Sequence, residues 1–82
     1  MSNKKIDLEK TKNFVEKICI DSSSKPNSLK VTQLRNYLNN SWDDLTDSAI
    51  KFLSQCITVL ENQREEVATK IKITELLKNK SF

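Results

Sequence analysis

The sequence predicts an all-α fold: a small helical bundle of three helices, or four if the chain turns near Asn62. Three observations lead there. Apolar residues recur at spacings of three and four along most of the chain, the period of a helix with one buried face. Lysines and glutamates fill the opposite faces. And none of the 82 residues is glycine and only Pro26 is proline, so few positions interrupt a helix and chain reversals fall to Asn, Asp, Ser and Pro26. The length is that of one domain, residues 1–82.

The first helix is expected from Leu8 to Ile20, with Asp7 as its N-cap. Leu8, Val15, Ile18 and Cys19 keep helical spacing, with Phe14 beside them. Glu9, Lys10, Lys12, Glu16 and Lys17 cover the other side. The run Asp21-Ser-Ser-Ser-Lys-Pro26-Asn27 then breaks the chain, because serines favour local side-chain bonds and Pro26 biases Lys25 away from helical geometry. A second helix follows, capped by Ser28 or Asn27, with Val31, Leu34 and Leu38 as its stripe and Tyr37 adjacent. Asn39-Asn40-Ser41 should end it, asparagine being well suited to a left-handed cap. Trp42 is expected to plug the joint between helices.

The next helix starts at Asp44 or Thr46. Asp43, Asp44 and Asp47 lie where carboxylates complement the positive end of a helix dipole. Ala49, Ile50, Phe52, Leu53, Cys56, Ile57, Val59 and Leu60 make an apolar surface wider than one stripe, which marks a central helix. The polar run Glu61–Glu66 contains no strong helix breaker, and Val67, Ala68, Ile71, Ile73, Leu76 and Leu77 resume the pattern. Continuity favours one helix over 46–79, about 50 Å long at 1.5 Å per residue. A heptad register runs through it: Ile50, Leu53, Ile57, Leu60, Arg64, Val67, Ile71 and Thr74 alternate by three and four. The core is expected to contain Phe14, Trp42, Phe52, Leu53, Ile57 and Leu60.

Composition excludes more functions than it suggests. Average glycine usage is about 7%, and its absence removes the phosphate-cradling loops of nucleotide enzymes. The chain has no histidine, so the commonest general base and metal ligand are missing. Cys19 and Cys56 then have nothing to activate them as nucleophiles. Adjacent carboxylates, Asp43/Asp44 and Glu65/Glu66, splay apart on a helix rather than converge. An enzyme is not expected, nor a cofactor or a small-molecule substrate. Zinc wants four nitrogen or sulfur ligands, and the chain has two cysteines. Those cysteines sit among apolar neighbours and read as reduced core thiols, with a disulfide between the first and third helices as the competitor.

The longest run rich in apolar residues, Phe52–Leu60, is far short of a membrane span. Lysines at the N-terminus have no apolar run behind them, so nothing reads as a secretory signal. The expected location is the cytoplasm. A membrane-surface role for Lys70–Phe82 is disfavoured because Glu65, Glu66 and Glu75 interrupt the basic face.

Two interaction surfaces remain. A helix over 46–79 cannot hide its far end against two short helices, so Val67, Ile71, Leu76 and Leu77 are expected to dock a protein partner or a second copy. The leading expectation is therefore a non-enzymatic adaptor, regulator or assembly subunit that also self-associates. The alternative is nucleic-acid binding. The net charge is +3, and residues 1–40 hold eight basic and four acidic side chains. Lys30, Gln33, Arg35 and Asn36 offer phosphate or base contacts from the second helix. Against this, Asp43, Asp44 and Asp47 open the helix that would enter a groove. The stretch Val31-Thr-Gln-Leu-Arg-Asn-Tyr-Leu38 resembles the T-x-Q-L-R-x-x-L stretch of small helical subunits in type III CRISPR effector complexes. That resemblance covers eight residues and implies a guide or target RNA contact at Arg35.

Overall fold

An aspartate opens the first helix as expected. The Asp7 carboxylate accepts a hydrogen bond from the Lys10 backbone N–H at 2.9 Å, and α1 runs Leu8–Glu16. This satisfies one of the orphan donors at a helix start. Asp7→Ala should therefore lower stability by about 1 kcal/mol, read as a shift in the urea midpoint with unchanged slope. Beyond Glu16 the ladder widens to π spacing over Lys17–Asp21, with Cys19 buried. The computed structural model describes residues 5–21, 26–62 and 65–79. The serine-rich break expected before Pro26 lies mostly outside those residues.

The second helix, α2, spans Asn27–Asn40. Its cap differs from the expected Ser28 or Asn27. Pro26 occupies that position with extended backbone and no side-chain cap bond. Its carbonyl accepts from the Leu29 and Lys30 N–H groups. Proline's fixed φ suits this position, and the Asn27 amide is directed instead to the Thr69 hydroxyl at 3.2 Å.

The end of α2 is also not the left-handed asparagine cap. No described residue has positive φ. A 3₁₀ turn over Trp42–Asp44 carries the chain onward, which explains how a chain without glycine reverses here. Leu45 then enters the core, completely buried, whereas Trp42 is 51% exposed. The expected plug was one element early: the joint is pinned by a leucine. Backbone pairing holds it there, because Ile6 N–H donates to the Asp44 carbonyl at 2.9 Å and Thr46 N–H to the Ile6 carbonyl at 3.0 Å. This isolated parallel bridge between Ile6 and Leu45 ties the segment before α1 to the α2–α3 joint.

Thr46 caps α3, Asp47–Asn62, its hydroxyl oxygen accepting from the Ala49 N–H at 3.3 Å. Ala49, Phe52, Leu53, Cys56, Ile57 and Leu60 are all buried. The wide apolar surface is used from several sides, since α3 packs against α1, α2 and the last helix. Phe14 is half-buried against this core and stacks on Tyr37, ring centroids 4.0 Å apart, which ties α1 to α2.

The expected single helix over 46–79 is instead two helices. Glu65 is extended, and α4 runs Glu66–Lys78. Residues 63 and 64 lie outside the described ones. The physical reason is burial: folding back places Ile73 fully inside and packs Leu76 and Leu77 against the core. Burying such side chains gains about 1.5–3 kcal/mol each when complete. That exceeds what continuity through a polar stretch carrying Glu61 and Glu65 one turn apart would contribute.

Candidate interaction surface

The start of α4 fixes which of its faces turns outward. Thr69 is buried, its hydroxyl donating to the Glu65 carbonyl at 2.9 Å while accepting from the Asn27 amide. Ile73 follows one turn later on the same inner side. Leu76 and Leu77 pack there too, so two of the four residues expected to dock a partner serve the core. The other two are turned away from it. Val67 is 71% and Ile71 55% exposed, and they stand one turn apart on one face.

Around them runs a shallow groove of about 400 Å³ lined by Val67, Lys70, Ile71, Thr74, Glu75 and Lys78. The Thr74 hydroxyl donates to the Lys70 carbonyl at 2.7 Å, so its polar atom is already satisfied within the helix. The heptad register singled out Val67, Ile71 and Thr74. It did not single out Lys70, Glu75 and Lys78, whose signal was the same register read one turn further with its flanks. Trp42 and Leu29 are also exposed.

The four residues offered for nucleic acid are placed differently from one another. Lys30 is 4% exposed, so most of its side chain lies inside the fold and it offers a phosphate little surface. Gln33 is half-buried and Asn36 exposed. Arg35, the residue the motif resemblance points to, forms an ion pair with Glu61 at 2.5 Å across the α2–α3 groove. Both partners are about half exposed, so the pair contributes at most about 1 kcal/mol. It does, however, offset the charge that a phosphate would meet. Along α1 and the first residue beyond it, exposed Lys10 and Lys17 alternate with exposed Glu9 and Glu16, which dilutes a basic surface.

Both thiols are free and buried. Burial pushes Cys19 up from 9.0 to about 11, with Lys30 pulling weakly the other way. It pushes Cys56 up as well, and neighbouring Cys19 adds to the rise. Neither is a thiolate near neutrality, so neither is poised as a nucleophile. Because the folded pKa lies above the unfolded one, this contribution to stability is complete below pH 9 and is lost as pH rises through about 11. Urea midpoints should therefore hold up to about pH 9 and fall across the alkaline range, less steeply in a Cys19→Ala/Cys56→Ala variant. An equal fall in that variant would assign the effect to other groups.

Among the described residues no three metal-ligating side chains cluster, and no helix is long and apolar enough to cross a membrane. No protein-family model, curated protein or solved structure matches this chain.

Proposed function

We propose that the chain is a non-enzymatic protein-interaction module of the cytoplasm, an adaptor, regulator or assembly subunit, that receives a partner helix on the outward face of α4. One observation carries the reading: Val67 and Ile71 stay exposed side by side while their neighbours Ile73, Leu76 and Leu77 are committed to the core. An apolar pair one turn apart, rimmed by charges, has the form of a helix-docking seam. Two buried, unbridged cysteines suit a reducing compartment.

The nucleic-acid reading is less well supported, since Lys30 is buried and Arg35 is paired with Glu61. The two readings separate in one experiment, capture of partners on the immobilised chain by native, Val67→Asp/Ile71→Asp and Arg35→Glu forms. The proposal expects loss in the first variant and retention in the second. Retention in the first with loss in the second would overturn it.

A further inference from the structure

We propose that the outward face of α4 pairs with α4 of a second copy of this chain as a short, parallel, two-stranded coiled coil. This rests on the protein-docking reading of that face and names the occupant. The argument is one of spacing and charge. Val67, Ile71, Thr74 and Lys78 are separated by four, three and four residues and line one groove together. These are the d, a, d and a positions of a coiled-coil seam. Lys70, immediately before Ile71, is then a g position. Glu75, immediately after Thr74, is an e position.

In a parallel pair each g residue faces the partner's e residue five positions further along. Lys70 faces the partner's Glu75, and the two-fold axis makes the same pair again on the other side. An antiparallel pair sets g against g and e against e; with the two helices fully overlapped, Lys70 then meets the partner's Leu77 and Glu75 the partner's Ala68, and neither ion pair forms. The charge pattern thus favours a second copy in the parallel direction. Lys70 and Glu75 are exposed and flank the seam from opposite sides, so no rearrangement of the fold is needed.

The seam residues suit a dimer of modest affinity. Ile71 at a is β-branched, which favours two strands. Thr74 at d brings a methyl group and a hydroxyl already bonded to the Lys70 carbonyl, so little is lost when it is covered. Lys78 at a opposes its own copy and weakens the pair while keeping it in register. A helix of 13 residues is about 20 Å long, so its one face buries less than the roughly 1,600 Å² of a stable interface. The association is therefore weak and concentration-dependent.

The test is sedimentation of the full chain from micromolar to millimolar concentration, with circular dichroism to verify that each variant is helical. Native chain should rise from monomer toward dimer mass. Lys70→Glu and Glu75→Lys alone should each remain monomeric, because each sets like charges opposite one another twice. An equimolar mixture of the two should associate again, since every pair across that heterodimer is then of opposite sign. Lys78→Ile should tighten association at least about tenfold. Native chain and Lys78→Ile both monomeric throughout, or a mixture that associates no better than its components, would overturn the pairing. If self-association fails while Val67→Asp/Ile71→Asp still abolishes partner capture, the occupant is a different protein and the docking reading stands. If that variant loses nothing, the docking reading fails with it.

Discussion

Phe52→Ala is expected to destabilise the fold by about 3–5 kcal/mol. Among the described residues Phe52 is the largest fully buried side chain, and it sits on α3, the helix that packs against the other three. The cost combines lost transfer energy with a cavity at the centre, where neighbours belonging to different helices cannot all close in. A chain of this size has about 4–12 kcal/mol of stability in total, so a quarter or more of it goes. Urea unfolding followed by circular dichroism should show a much lower midpoint with an unchanged slope. Trp42→Ala provides the contrast, since a ring half in water should cost far less. A Trp42 variant as damaged as the Phe52 variant would mean that the joint between α2 and α3 is plugged by the tryptophan after all.

The second large effect is on assembly rather than folding. Val67→Asp/Ile71→Asp should remove partner binding while leaving the unfolding midpoint nearly unchanged, because both positions face solvent. Leu76→Asp and Leu77→Asp should do the reverse. Their side chains are partly buried against the core, so a carboxylate there is partly desolvated with no partner and the fold loses clearly more than with the solvent-facing pair. Comparing the two pairs by thermal melts and capture separates a docking face from ordinary core on one helix. Equal destabilisation by both pairs would show that all four residues belong to the core.

Much of the fold was legible because local chemistry and burial agree. Asp7 and Thr46 cap the helices that the sequence assigned to them, and the apolar width of 49–60 correctly marked α3 as central. The errors occur where tertiary packing overrides local preference. Nothing in Glu61–Glu66 forbids a helix, yet burying Ile73 requires a break there. Trp42 outranks Leu45 in size, but the pairing of Ile6 with Leu45 turns the leucine inward. No periodicity encodes a bridge between residues so far apart.

The interaction face was only half legible for a related reason. α4 is apolar on two sides, with Val67 and Ile71 on one and Ile73, Leu76 and Leu77 on the other. Periodicity alone gives both sides the same standing. Only the position of Thr69, locked between Glu65 and Asn27, decides which side is outer. Lys30 shows the same limit, reading as a surface charge in sequence and standing buried beside Cys19 in the fold.

The most direct measurement is a lysine-acetylation footprint of the chain, free at low concentration and in its associated form, read residue by residue by mass spectrometry. Lys70 and Lys78 line the outward face of α4, whereas Lys10, Lys17 and Lys51 are exposed elsewhere. The account predicts slowed acetylation at Lys70 and Lys78 on association and unchanged rates at the other three. Protection at Lys10 and Lys17 with Lys70 and Lys78 still reactive would contradict it, placing the interface on α1.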